Sequence, residues 1–396
     1  MESVVDSGGP LEGVRVIEFG QLISTPGATS LLGDLGAEVI KVERLSGELA
    51  RVVPGLGEPI LRAFNRNKHS VSADLRDHRV LDAIRGLIRN ADVVVHNMKP
   101  GSMEKLGLGA EALMRDQPSL IYASITAFPF DSPSAERGGV DLVAQAESGM
   151  MSINGDPSGP PMKVGMTIVD AASTVVLAHA VTAAYVRRLR TGQGAVVNVS
   201  LFEVAMYLQT HEWTSYLGSG VAPVRMGNSS PRAAPSDVVA TRTGYVALSA
   251  YADGQWQRLC NAIGKPELAE QARFATNEAR VANRAAMLDE LTKALETRST
   301  AECVDLIQGA GLLAAAVMEY GEVRNSPDVV AAKIIQDLDC SGGASYQSIR
   351  APYRISGSNP GRSGYPPLGD RSKAALREGG CPEEVIEKLF DEGVLR

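Results

Sequence analysis

The chain has 396 residues, room for two domains or one large domain with an excursion. Its 39 basic and 46 acidic side chains leave a formal charge of −7 with no basic block, which excludes nucleic-acid binding driven by charge. A 44% hydrophobic, 21% charged composition is globular, and the 5% aromatic share makes the core one of Ala, Val, Leu and Ile.

Met1–Pro10 has two acids, no basic residue and no apolar run, so no secretory signal is expected there. Val14–Gly20 reads as a strand ending on glycine. Pro26–Gly36 reads as a short helix, with Ser24 or Thr25 as cap, and Glu38–Arg44 as a second strand. Strand–helix–strand is the seed of a parallel sheet. Ser70–Leu75 extends it, Asp77–Arg89 is a helix, and Ala91–His96 and Leu120–Ala127 are further strands. This alternation predicts an α/β fold with both sheet faces covered. Ala171–Leu189 is a long apolar helix broken by small polar residues, and Ala195–Leu201 a strand behind it. No run reaches the ~18 uncharged apolar residues of a membrane span. Gly218–Pro235 is rich in Gly, Ser, Pro and Asn and reads as a linker. Asp237–Tyr251 gives two short strands around Thr241–Gly244, followed by helical patterns at Gly254–Ile263, Ala285–Glu296 and Thr300–Gly309. A smaller α+β domain over about Pro223–Met318 follows. After Asn325 the chain is loop-rich, with strand-like Gln347–Ile355 and two terminal helices.

Cys260, Cys303, Cys340 and Cys381 are too far apart for metal-ligand spacing and suggest no disulfide framework. Of His69, His78, His96, His179 and His211, no two make a metal-ligand pair, so no metal is expected. The first crossover lacks G-x-G-x-x-G, although Glu43 lies where a dinucleotide fold keeps its acid. There is no G-x-S-x-G elbow. Arg44, Arg51, Arg66, Lys68, Arg76, Lys99 and Lys105 fall at or beyond strand ends, where cations can meet a polyanion. Asp170 opens the long helix. It is either an N-cap or a carboxylate nucleophile whose ionised form the helix dipole favours.

Several segments together resemble the class III CoA-transferases, a family that includes formyl-CoA transferase, carnitine CoA-transferase and alpha-methylacyl-CoA racemase as a side branch. They are Leu11–Glu18, Leu32–Arg44, Asn65–Leu75, Ala91–Asn97, Gly139–Gly155, Pro367–Asp370 and Ile386–Val394. The resemblance implies that Asp170 attacks an acyl-CoA thioester, and that CoA passes through an aspartyl thioester to an acceptor carboxylic acid. It implies CoA contacts at Leu22, Ile23, Ser24, Arg44, Ala73, Asp74, Leu75, Arg76, Asn97, Met98, Lys99, Lys105, Thr126 and Ala127. Arg44, Lys99 and Lys105 would face the phosphates. It further implies a Rossmann-like large domain built from residues 1–205 and 325–396, a small α+β domain over 223–318, and linkers at 206–222 and 319–324. Two subunits would interlock as a homodimer, and a cytoplasmic location is expected.

Two departures bear on specificity. The racemase branch has a histidine where this chain has Val140, and valine cannot abstract a proton. A glutamine used by formyl-CoA transferase on oxalate corresponds to Ile23, so oxalate is not the expected substrate. The alternatives are an acyl-CoA racemase on the same fold, a non-catalytic acyl-CoA-binding protein and, more distantly, a nicotinamide dehydrogenase.

Overall fold

The six segments Arg15–Phe19 (β1), Glu38–Glu43 (β2), Lys68–Ser72 (β3), Val93–His96 (β4), Ile121–Thr126 (β5) and Ala195–Ser200 (β6) form one sheet in the order β3-β2-β1-β4-β5-β6. Every neighbouring pair is parallel. The structure is a computed structural model and describes residues 8–55, 57–252, 254–341 and 343–396. The strands expected for this sheet are all present, shifted by at most a few residues at their ends.

The sheet is covered on both faces, as a parallel sheet requires. Successive side chains alternate between the faces. Val16, Val39, Val93 and Val95 join one core with the first helix (Ser24–Gly33) and the long helix (Ile168–Thr191). Ile17, Ile40 and Val94, one residue on, join the other with the helix His78–Arg89 and the terminal helices Ser372–Glu378 and Glu383–Asp391. The terminal segment is tied to the sheet edge: Ser70 N donates to Asp370 Oδ1 at 2.6 Å, and Arg396 N to Ser72 O at 2.9 Å.

The long helix has 24 residues and, by length and composition alone, is apolar enough to cross a membrane. It is a core helix. Val169, Leu177, Ala178, Val181 and Ala184 pack inward, and Arg187, Arg188 and Arg190 close it.

The described residues fall into two compact units. The first comprises Met1–Met151, Lys163–Val221 and Lys333–Arg396, and the second Ser152–Met162 and Ala222–Ala332. The stretch read as a first linker carries the helix Thr210–Ser219. The second unit has an antiparallel sheet of Ser236–Thr241 (β7), Gly244–Ser249 (β8) and Leu313–Ala316 (β9). It packs around Trp256, Leu259, Phe274, Met287 and Leu291. Strand β9 was not expected, because Leu-Ala-Ala-Ala has no alternation and pairs only since β8 offers it an edge. In the first unit, Ile335–Asp339 (β10) pairs with Ser345–Ile349 (β11), so the strand expected over 347–355 ends at Ile349.

Candidate active site

In a sheet of order 3-2-1-4-5-6 the strand order reverses between the parallel neighbours β1 and β4, and their successive connections leave toward opposite faces, which opens a crevice at their carboxyl ends. The loops leaving those two strands are bolted together. Asn97 Oδ1 accepts from Gln21 N at 2.9 Å, and Asn97 Nδ2 donates to Gln21 O at 2.8 Å. Leu22 follows in the left-handed region at φ 64°, a conformation costing a branched side chain ~1 kcal/mol or more. Its N–H donates to Glu48 Oε2 at 2.7 Å. Glu48 in turn pairs with buried Lys41 at 3.2 Å, and Lys41 donates to Glu18 at 2.6 Å and to Gly20 O at 2.8 Å.

This loop delivers Ser24, the first residue of its helix, to Asp170. Ser24 Oγ donates to Asp170 Oδ1 at 2.5 Å. The approach needs Gly27, since a Cβ there would lie 2.6 Å from Thr174 Oγ1, one turn along the long helix from Asp170. Asp170 is not the cap of its own helix. Thr167 holds that position, and the buried carboxylate of Asp141 does the capping from outside: Oδ2 accepts from Val169 N at 2.7 Å and Asp170 N at 3.1 Å. Gln145 Nε2 steadies Asp141 Oδ1 at 2.5 Å.

Burial pushes the Asp170 carboxyl above its ordinary value. The Ser24 hydroxyl opposes this and the Asp141 charge adds to it. This corrects the expectation that the helix start dominates: Asp141 already occupies the N–H groups that would have favoured the Asp170 anion.

Two cavities meet at this end of the sheet. One, of about 310 Å³, holds Asp170, Leu22, Ile23, Ser24, Asn97, Met98, Lys99, Thr126 and Ala127, with Glu136, Arg137 and Val140 on its rim. The other, of about 620 Å³, is lined by Arg44, Ala73, Asp74, Leu75, Arg76 and Glu48. Gln21 and Met98 line both. The expected contact residues are thus gathered into two adjoining cavities, except Lys105, which lies exposed on the short helix Ser102–Lys105 and lines neither.

The convergence of cations is narrower than expected. Lys68 is buried on Glu18 at 2.8 Å, Arg66 grips Asp34, and Arg51 grips Glu43, so these three hold the fold. Arg76 forks onto Asp74, and Arg44 Nε donates to Gly47 O at 2.8 Å. Lys99 and Arg44 remain as exposed cations in the two walls. Asp141 and Glu48 were not singled out as site residues from sequence. Asp141 lies in the Gly139–Gly155 motif, which was the available signal, whereas nothing in the sequence marks Glu48. Among the described residues, no three His, Cys, Asp or Glu side chains are placed to share a metal ion.

Residues 11–372 match the family described as CoA-transferase family III. A protein of Mycobacterium tuberculosis described as "probable fatty acyl-CoA transferase Rv3272" is 39% identical over 334 residues, covering 80% of this chain and 85% of that protein. The succinate–glutarate CoA-transferase of Agrobacterium fabrum is 34% identical, covering 88% of this chain and 90% of its own. A crystal structure of a CAIB/BAIF family protein from Brucella suis superposes with a TM-score of 0.84 at 33% identity, covering 94% of this chain and 100% of that one.

Proposed function

This chain belongs to CoA-transferase family III and is an enzyme of the CoA-transferase type, and we propose that it works through a covalent intermediate on Asp170. The supporting observation is that Asp170 stands in a cavity wall with Oδ1 engaged by Ser24, while no hydrogen bond to Oδ2 is described. A free carboxylate oxygen attacks the thioester carbonyl of an acyl-CoA, the C–S bond breaks, and the chain carries a mixed anhydride. The CoA thiolate attacks Asp170 Cγ, releasing the donor carboxylate and leaving an aspartyl-CoA thioester. The acceptor carboxylate then attacks Cγ, expels CoA thiolate and forms a second anhydride. Thiolate attack on the acceptor's acyl carbon frees Asp170. Dividing one exchange among these steps is what covalent catalysis contributes.

A CoA molecule is long, and two adjoining cavities suit it. The thioester end belongs with Asp170, and the phosphorylated end with Arg44 in the neighbouring cavity. Val140 offers no group to abstract an α-proton, so the racemase reading finds no support at the cavity rim.

Incubating the enzyme with acetyl-, succinyl- and dodecanoyl-CoA, followed by acid quench and intact mass, tests the reading. A mass increase is expected in the wild type and absent in Asp170→Asn, with transfer lost by at least about a thousandfold. Near-normal transfer in Asp170→Asn defeats it. A homodimer, with interlocked subunits, belongs to the same proposal. Exposed Val175, Val186 and Leu189 on the long helix and Leu217 beyond it support an apolar interface. A mass in solution equal to one chain counts against it.

A further inference from the structure

Ser24 was expected as a contact for CoA. Its geometry suits another task, and the argument rests on the aspartyl reading above. The Ser24 side chain is buried, its helix is pressed against the long helix at Gly27, and its hydroxyl lies 2.5 Å from Asp170 Oδ1. An ionised carboxylate only accepts, so the hydroxyl donates. That distance is at the short end of the range for a hydroxyl on an anion.

When Oδ2 carries the acyl group, Oδ1 becomes the carbonyl oxygen of the aspartyl half of the anhydride. Attack by the CoA thiolate on Cγ forms a C–S bond and moves an electron pair onto Oδ1. The tetrahedral intermediate then collapses, the Cγ–Oδ2 bond breaks, and the donor acid leaves as a carboxylate. The same oxygen takes the charge again when the acceptor carboxylate attacks the aspartyl thioester. We propose that Ser24 is a catalytic residue, its hydroxyl serving as the oxyanion donor for the tetrahedral intermediates formed at Cγ of Asp170.

The hydroxyl does not serve the first attack in this way, because there the oxyanion forms on the substrate carbonyl. Ser24 stabilises the resting carboxylate, so its removal leaves the first step as fast or faster while the steps at Cγ slow. A tie between two helices with no catalytic part would affect both alike. The other charged groups around Asp170 are Asp141 behind it and Lys99, Glu136 and Arg137 in the cavity wall, and none of them has a described hydrogen bond to Oδ1.

The test is rapid quench with intact mass on the full-length enzyme, using whichever of acetyl-, succinyl- or dodecanoyl-CoA the wild type accepts. Two adducts are resolved: chain plus acyl and chain plus CoA. In Ser24→Ala the acyl adduct should form at the wild-type rate or above, while its conversion to the CoA adduct slows by about tenfold or more. Ser24→Thr, which keeps the donor, should return conversion to within about threefold of wild type. Ser24→Cys, a weak donor of similar volume, should behave like Ser24→Ala and covers a failure of that variant to fold. Equal slowing of both steps, or unchanged conversion, overturns the role of Ser24. Absence of any adduct on the wild type with all three donors overturns the aspartyl reading instead.

Discussion

Glu48 sits where three requirements meet. One oxygen accepts from the N–H of Leu22, and the other takes Lys41 and Asn65 Nδ2, both at 3.2 Å. A carboxylate can satisfy all three donors because it accepts only. Glu48→Gln turns one acceptor into a donor, so either Leu22 or Lys41 then faces an N–H group. A loss of ~2–4 kcal/mol in urea unfolding is expected. Transfer should fall with it, since the Leu22 loop carries Ser24 toward Asp170. A loss below ~0.5 kcal/mol would show that the loop keeps its conformation without Glu48.

Between elements, the decisive contact is the crossing of the first helix over the long helix. Nine of the first helix's ten residues are buried, several of them small: Ser24, Thr25, Gly27, Ala28, Thr29 and Ser30. Small residues allow the axes to approach, and the approach sets the Ser24–Asp170 distance. Gly27→Ala places a methyl 2.6 Å from Thr174 Oγ1 and 2.8 Å from its Cγ2. The axes must separate, at a cost of ~1–3 kcal/mol. Because the clash is with the outer atoms of Thr174, Gly27→Ala combined with Thr174→Ala should be more stable than Gly27→Ala alone. Additive losses in thermal melts would place the strain elsewhere.

Across the whole molecule, the crevice rests on a buried ionic floor. Glu18, Glu43 and Glu48 face Lys41, Lys68 and Arg51, and all but Arg51 are essentially out of water. Burial acts to raise the Glu18 carboxyl, but Lys41 and Lys68 outweigh it and hold it at about 2 against an ordinary 4.5. A depressed carboxyl stabilises the native state above its unfolded pKa, and that contribution is lost as pH falls through the folded one. Stability should therefore fall as pH drops below the ordinary carboxylate range, as Glu18 takes up its proton and the pairing with Lys41 and Lys68 is lost. Unfolding free energies measured from neutral pH down into the acid range check it, and a flat profile would count against the network. Glu18→Gln alone should cost more than Glu18→Gln with Lys68→Met, because the single change strands a buried cation.

Much of the fold is written locally. The short, near-continuous apolar runs of β1, β2 and β4 mark strands covered on both faces, and Gly20, Asp77 and Gly192 mark where elements end or begin. The family resemblance, carried by contiguous motifs, implied Asp170 and many of the residues that line the two cavities. What the sequence left undecided is which polar groups meet. Arg51, Arg66 and Lys68 read like Arg44, yet three are consumed by acids and one is exposed, and charge alone does not name a partner. Asp141 reaches across 28 residues to cap the long helix, and Ser24 across 146 to touch Asp170. Backbone propensity is set by near neighbours, so it is legible residue by residue. Pairings at such separations exist only once the fold has brought the carboxyl ends of β1 and β4 and the start of the long helix together, and tertiary structure alone decided them.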